Sequence, residues 1–584
     1  MGRNSDKNEH NEKYILMYTD KKNILQLAVL LREHGIKKMV LCPGSRNIAL
    51  VQTFTNIPEF ECYPVTDERS AGFFAMGLAL QAHEPVVVCC TSGSALLNLH
   101  PAVSEAFYQQ IPLIVISADR PEAWIGQMDG QTLPQNGVFG SLVKKSINLP
   151  EVNTEEDKWY CNRLINEALL ETHHHGLGPV HINIPVSDPF FDLPTEVLPQ
   201  ARKIDRLEYP SSSCIRMLAQ ELISCRSCIT IAGQSNEEYE YSDETARILG
   251  EKIVWLGENL SNKTCPIEPI GRLEPILASI DESEAEEFRP KLLITFAGHI
   301  ISKRLKKFLR QYKPLQHWHV CKDGAIADLY CSLTKVIEMS PEKFWNQIAL
   351  AIKSIQEEAQ IKGNTASDKQ TNDERFVEKW KKKAESIPSP CFPYSEMQAI
   401  GLVQKNLPNC SILHLANSSS VRYSQLFPLP KDITILSNRG VNGIEGSLST
   451  AIGYSSACPD KLNFIFIGDL SFFYDMNALW NNNYGNNIRI LLVNNSGGEI
   501  FKTFQGLQMS EKSSHIVIAD HKSTAKAWTE DRGFTYLQAH DDEELQASVK
   551  IFTSHEIIDK PMILEVFTDK ETDVLALNEW FRTL

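Results

Sequence analysis

Two short apolar runs, each ending in a turn rich in oxygen donors, constrain this chain more than any other feature. The first, Asn463 to Ile467, stops at Gly468-Asp469-Leu470-Ser471. The second, Arg489 to Val493, stops at Asn494-Asn495-Ser496-Gly497-Gly498, with Asn495 standing 26 positions after Asp469. The intervening stretch, Tyr474 to Asn486, has the length of one crossover helix with its connections. In a parallel sheet such a crossover brings both strand ends to one edge, where ligands of α/β sheets bind. A carboxylate (Asp469), an amide oxygen (Asn495) and a free backbone carbonyl (Gly497) converging there suit a small, hard cation such as Mg²⁺. Such a cation completes its octahedron with water and phosphate oxygens. Either turn alone would be an ordinary Asx or glycine turn; the spacing of the pair makes them informative.

The rest of the chain repeats the pattern. Short β-rich runs alternate with helical stretches throughout, the mark of βαβ units, so the fold class is α/β with mainly parallel sheets flanked by helices. Runs at Lys38–Cys42, Pro85–Cys90, Leu113–Ser117 and Val180–Ile184 form a first block. Cys228–Ala232, Ile253–Leu256, Leu292–Phe296 and His317–Val320 form a second. Ile412–Leu415, Ile433–Leu436, Asn463–Ile467, Ile490–Val493 and Met562–Val566 form a third. Three domains are therefore expected, over residues 14–193, 210–352 and 386–584, with a charged linker at 353–385. A chain of 584 residues is too long for one core, which agrees.

A formal net charge of −15 argues against nucleic acid or an anionic membrane as the main partner. Met1 to Lys13 is polar and charged with no apolar core, so no secretory signal is expected, and no apolar stretch reaches the ~20 residues of a membrane span. The 14 cysteines are scattered without a CxxC pair, as expected of free thiols in a reducing cytoplasm.

The paired turns look like the metal–diphosphate signature of thiamine diphosphate enzymes, although members usually read Gly-Asp-Gly where this chain has Leu470 in third place. That resemblance gives other segments a meaning. Thr66-Asp67-Glu68-Arg69 opens a helix of small and apolar residues. In these enzymes one such Glu contacts the aminopyrimidine N1′, and a carboxyl whose pKa is raised by desolvation serves that purpose. Glu68 is the candidate, both catalytic and cofactor-binding. Thr91-Ser92-Gly93 forms a strand-to-helix turn that would approach the pyrimidine. In a glycine-rich loop, Gly443 would approach the cofactor closely and Ile444 would supply the apolar wedge beneath the thiazolium, while Ile500 and Phe501 would wall the reacting centre. Ser45, Arg46, Arg120, Lys303, Arg304, Arg422 and Arg439 fall at or just beyond strand ends, which suits recognition of carboxylates.

These segments, with Gln131, Gln135, Asn417-Ser418 and Ser437-Asn438-Arg439-Gly440, resemble in order the SEPHCHC synthase family of menaquinone biosynthesis, from about residue 20 to the C-terminus. Gly468-Asp469-Leu470-Ser471 is that family's own form of the motif. The resemblance implies the three-domain thiamine diphosphate fold: a pyrimidine-binding domain, a central domain without chemistry and a diphosphate-binding domain. It implies thiamine diphosphate with Mg²⁺ or Mn²⁺ as cofactors, with Asp469, Asn495 and Gly497 on the metal and Gly468, Leu470, Ser471, Gly498 and Ile500 around the diphosphate and cofactor. It implies 2-oxoglutarate and isochorismate as substrates, held by Ser45, Arg46, Arg120, Gln131, Lys303, Arg304, Ser418, Arg422, Arg439, Ile500 and Phe501. A cytoplasmic homodimer or homotetramer follows, each active site formed between subunits. The competing reading is another thiamine-dependent 2-oxoacid carboligase, such as an acetolactate synthase. It does not explain why Ser45-Arg46, Lys303-Arg304 and Arg422 occur together.

Overall fold

A computed structural model describes residues 17–189, 191–250, 252–361, 372–430, 432–480, 484–498 and 510–584. The chain forms two compact units: residues up to Glu208 with Thr334–Val336, and Tyr209–Leu333 with Ile337–Leu584.

In the first unit, β1 (Lys38–Leu41), β2 (Glu61–Pro64), β3 (Val86–Cys90), β4 (Leu113–Asp119), β5 (Lys145–Asn148) and β6 (Val180–Pro185) form a sheet ordered β2-β1-β3-β4-β6-β5. All five neighbouring pairs are parallel. The middle sheet uses β7 (Asp205–Glu208), β8 (Cys228–Ala232), β9 (Val254–Gly257), β10 (Leu292–Phe296), β11 (Gln316–Cys321) and β12 (Lys335–Glu338), ordered β7-β12-β11-β10-β8-β9. In the second unit, β13 (Ile412–Leu415), β14 (Thr434–Leu436), β15 (Asn463–Gly468), β16 (Ile488–Asn494), β17 (Thr535–Ala539) and β18 (Met562–Phe567) are again all parallel, ordered β14-β13-β15-β16-β18-β17. Numbered within themselves, the first and third sheets share one order, 2-1-3-4-6-5. They are two copies of one topology, which the faint similarity of their sequences hides.

Both faces of these sheets are buried, so their strands are continuous apolar runs rather than alternating ones. In β15, Phe464 and Phe466 enter one core while Ile465 and Ile467 enter the other. Each such side chain contributes roughly 1.5–3 kcal/mol of burial as an upper estimate. In β3, Val87 and Cys89 face one side and Val86, Val88 and Cys90 the opposite side.

Two expectations are corrected here. Tyr474–Asn486 does not begin the crossover helix: that helix is Asp469–Tyr474, starting at the acid itself, followed by a 3-10 turn at Met476–Leu479. Asp475 ends the helix and instead accepts Ser449 N–H (2.7 Å) and Oγ–H (2.6 Å). The charged segment 353–385 is not simply a linker, since helices occupy Pro341–Ile361 and Asn372–Ser386. Its lysines and glutamates flank a stripe, Phe376, Val377 and Trp380, that is buried in the middle core. No helix among the described residues is long and apolar enough to cross a membrane, and none of the 14 cysteines forms a disulfide.

Candidate active site

Parallel register places Gly468 opposite Val493, so the turns after β15 and β16 leave the sheet side by side. Asp469, 3% exposed, joins them: its Oδ1 accepts Leu470 N–H at 2.6 Å and its Oδ2 accepts Gly497 N–H at 2.9 Å. Gly497 has φ +146°, and a Cβ there would meet Ile518 O at 2.9 Å, so only glycine fits. The neighbouring turn is pinned from outside: Gly498 N donates to Ile518 O (2.7 Å), and Ser496 O accepts from Lys570 Nζ (3.1 Å).

A cavity opens over these turns, lined by Asn417, Ser418, Ile444, Gly468, Asp469, Leu470, Ser471, Asn495, Gly497 and Gly498. Burial raises the Asp469 pKa, opposed by His521 and by the two N–H donors. Glu396 also lines the cavity, so its polar side chains are two carboxyl groups, amides and hydroxyls, with no thiolate among them. That set fits a hard divalent cation with a phosphate group beside it.

Across the cavity, Asn417 leaves the end of β13 and organises the glycine-rich loop. Its Nδ2 donates to Asn438 O (2.8 Å) and Gly443 O (2.6 Å). The Ser471 hydroxyl donates to Ile444 O, fixing the half-buried Ile444 over the Asp469 turn. Ser418 has φ +74°, Asn442 +67° and Ser496 +62°. Ser418 lines the cavity and the other two stand within two residues of ones that do, backbone strain of the kind that gathers at functional sites.

The cations form a second cluster in the same unit. Arg439, 8% exposed, donates from Nη1 to Asn417 Oδ1 (2.7 Å), while its buried Nε has no partner among the described residues. Arg422 lies one turn beyond Ser418 on helix Ser419–Ser424, and shares a cavity with Lys303, Glu258, Glu274 and the apolar Leu273, Leu426 and Phe581. Lys303 and Arg304 open helix Lys303–Gln311. Glu258, at the end of β9, holds the segment before them by accepting Ile301 N–H and Ser302 N–H, each at 2.6 Å. Glu274 accepts Ser302 Oγ–H (2.7 Å) and Arg304 N–H (3.1 Å) and lies 3.3 Å from Arg304 Nε. Burial lowers the pKa of Arg422. Burial and then the Arg422 charge lower those of Lys303 and Arg439. Positive charges that repel one another in a partly dry cavity favour an anionic guest.

In the first unit the candidates also sit at strand ends. Ser45 and Arg46 follow β1, Glu68 follows β2, Thr91-Ser92-Gly93 follows β3 and Arg120 follows β4. Glu68 is the first residue of helix Glu68–Ala82, capped by Asp67, which accepts Ser70 N–H at 3.1 Å. It is half-buried near the Cys42 thiol, whose pKa burial, then Glu68 and Asp67, push up to about 12. Gly93 has φ +85°, and a Cβ there would lie 3.2 Å from the backbone of Gln131, itself at φ +55°. Buried Gln135 ties this turn to the sheet, accepting Gly93 N–H (2.8 Å) and donating to Ala118 O (3.0 Å) and Asn183 Oδ1 (2.9 Å). Arg46 donates to Val186 O (3.0 Å) and Asp188 (3.3 Å), and Arg120 to Gly130 O (3.0 Å), with Asp129 at 3.0 Å.

The structure thus gathers Ser418, Ile444, Gly468–Ser471, Asn495, Gly497 and Gly498 around one cavity, with Gly443 on the loop that Asn417 ties to it. It places Lys303 and Arg422 on a second cavity of the same unit. Ile500 and Phe501 lie outside the described residues. Sequence reasoning overlooked Glu258, Glu274, His521 and Lys570, none of which belongs to a short motif.

The family described as thiamine pyrophosphate enzyme, N-terminal TPP binding domain, matches residues 25–139, and its C-terminal TPP binding domain matches residues 418–566. The chain is 54% identical to 2-succinyl-5-enolpyruvyl-6-hydroxy-3-cyclohexene-1-carboxylate synthase of Phocaeicola vulgatus, over 97% of this chain and 99% of that one. It is 52% identical to the same-named enzyme of Bacteroides thetaiotaomicron, over 97% and 100%. With that of Flavobacterium psychrophilum the identity is 35%, over 94% and 96%. With both cofactor-binding domains matched and near-complete coverage of these relatives, the chain belongs to the 2-succinyl-5-enolpyruvyl-6-hydroxy-3-cyclohexene-1-carboxylate synthase family of thiamine pyrophosphate enzymes.

Proposed function

We propose that this chain decarboxylates 2-oxoglutarate and transfers the resulting four-carbon succinyl unit to isochorismate, releasing CO₂, with thiamine diphosphate and Mg²⁺ or Mn²⁺. The observation that carries the substrate class is Arg439: a buried guanidinium with one side engaged by Asn417 and a buried Nε without a hydrogen-bond partner among the described residues. With Lys303, Arg304 and Arg422 it offers positive charge and donors to substrates rich in carboxylates, which a neutral aldehyde would not match.

Bound thiamine diphosphate would supply the nucleophile and electron sink for loss of CO₂. Asp469, Asn495 and the Gly497 carbonyl would hold the cation, and Gly468, Leu470, Ser471 and Gly498 would surround the diphosphate. Ile444, anchored by Ser471, would support the cofactor from below, with Ile500 and Phe501 beside the reacting centre. Glu68 would hold a proton at the pyrimidine N1′, flanked by Thr91, Ser92 and Gly93. Ser45, Arg46, Arg120, Gln131 and Ser418 would complete the grip on substrate oxygens.

In this reading residues 14–193 bind the pyrimidine, 386–584 the diphosphate, and 210–352 position the Lys303 segment. The enzyme works in the cytoplasm as a homodimer or homotetramer. The test is CO₂ release from 2-oxoglutarate by purified protein with thiamine diphosphate and Mg²⁺. Release that rises sharply only when isochorismate is supplied supports the proposal. A yellow, flavin-containing protein that condenses pyruvate would instead establish the acetolactate synthase reading.

A further inference from the structure

His521 belongs to no motif, yet its ring is held against the acid of the metal turn. Nε2 lies 3.1 Å from Asp469 Oδ2, close but without the alignment of a formed hydrogen bond among the described residues, and the imidazole is 17% exposed. Ser523 N–H donates to Nδ1 at 3.1 Å, so the neutral ring carries its proton on Nε2, the nitrogen facing the carboxylate. The ring packs edge-on against Phe473 with centroids 5.3 Å apart, and its backbone N–H donates to Ser496 O at 3.3 Å. The following segment is equally anchored. Ser523 O accepts Asn494 Nδ2 (2.9 Å), and the fully buried Glu565 accepts Asn494 Nδ2 (2.8 Å), Ala525 N–H (3.1 Å) and the Tyr536 hydroxyl (2.7 Å). Asn494 directly precedes Asn495, so one buried network reaches both turns that face the cavity.

We propose that His521 is a positioning residue for the divalent cation: its Nε2–H, packed 3.1 Å from Oδ2, favours one orientation of the Asp469 carboxylate, so that its other lone pairs meet the ion. This rests on the reading of Asp469, Asn495 and Gly497 as the cation site and adds an outer partner to it. A carboxylate that already accepts Leu470 N–H on one oxygen and Gly497 N–H on the other has little rotational freedom left once the imidazole abuts it. Outer partners of this kind tune metal affinity by about 10–100-fold.

The experiment titrates Mn²⁺ into the full-length protein with thiamine diphosphate present, following free Mn²⁺ by electron paramagnetic resonance. His521→Phe keeps the ring against Phe473 but has no donor, and His521→Gln keeps a side-chain N–H. We expect His521→Phe to bind Mn²⁺ about 10–100-fold more weakly. His521→Gln should recover much of that loss, and turnover at saturating Mn²⁺ should change far less than affinity. Equal or tighter Mn²⁺ binding by a cooperatively melting His521→Phe would overturn the proposal, tighter binding meaning that the imidazole competes with the ion. Should His521→Phe fail to melt cooperatively, His521→Gln against His521→Asn decides: Gln must bind Mn²⁺ more tightly than the shorter Asn, and equal binding overturns the proposal. Asp469→Asn separates the two layers. If it binds Mn²⁺ as tightly as the unaltered protein, the cation-site reading itself fails, whatever His521 does.

Discussion

Arg439 Nη1 and Asn417 Oδ1 are 2.7 Å apart, and through that bond a candidate substrate-binding guanidinium is tied to the cavity over Asp469. Asn417 lines the cavity over Asp469, and its amide nitrogen also holds the carbonyls of Asn438 and Gly443. One side chain thus sets both the guanidinium and the loop carrying Ile444. We expect Asn417→Ala to cost about 1–3 kcal/mol of stability, because two carbonyls and a buried guanidinium lose their partner. The KM for 2-oxoglutarate or isochorismate should rise about tenfold, equivalent to about 1.4 kcal/mol of binding. Urea unfolding with steady-state kinetics checks both, and an unchanged KM for both substrates would detach Arg439 from substrate binding.

Glu68 opens its helix behind a capping Asp67, so replacing the carboxyl should leave the fold alone. Glu68→Gln is expected to keep thiamine diphosphate affinity within a few-fold while turnover drops by about 100-fold or more, the usual range for losing a general acid–base group. Cofactor titration by intrinsic fluorescence and a CO₂ assay measure the two quantities separately. Full turnover in Glu68→Gln would remove Glu68 from proton handling.

Central strands were legible because burial on both faces writes them as unbroken apolar runs: Cys228–Ala232, Leu292–Phe296 and Ile412–Leu415 stand where the sequence places them. The strands that sequence reasoning overlooked are mostly at sheet edges. Glu61–Pro64, Lys145–Asn148, Asp205–Glu208 and Thr535–Ala539 have only one neighbour and are largely half-exposed, so their sequences mix charge with apolar residues. The same contrast applies to the site. Asp469, Asn495 and Gly497 lie in short turns whose residue types reveal them. Glu258, Glu274 and His521 act on groups tens of residues away in sequence, such as Ser302 and Asp469, and only the fold brings them together.

Gly233 and Gly298 follow the adjacent strands β8 and β10, and their backbones touch: a Cβ on Gly233 would lie 2.1 Å from Gly298 O. Backbone cannot swing aside as a side chain can, so Gly233→Ala should cost about 1–3 kcal/mol. Neither glycine lines the cavity over Asp469, and thiamine diphosphate affinity at low temperature should be unchanged. Denaturant unfolding and cofactor titration on one preparation test this; full stability would mean that the two strand ends separate readily.

Glu258 gives the molecule a pH dependence of defined sign. Burial is the main cause, and it raises the carboxyl pKa from 4.5 to about 7, opposed by the Ile301 and Ser302 N–H donors and by Lys306, with Glu274 adding to the rise. Between those values the folded state keeps a proton that the unfolded state has released, so stability is greatest at the acid end and falls as pH rises through the window. The full span is at most about 3.4 kcal/mol. Glu258→Gln removes the titration, and its stability should vary less between pH 5 and about 7 than that of the unaltered protein. Arg422 and Arg439 near the same carboxyl keep their charge throughout this range, so the difference between the two curves isolates Glu258. Urea unfolding at half-unit pH steps gives both curves, and parallel curves would show that Glu258 is ionised across the whole interval.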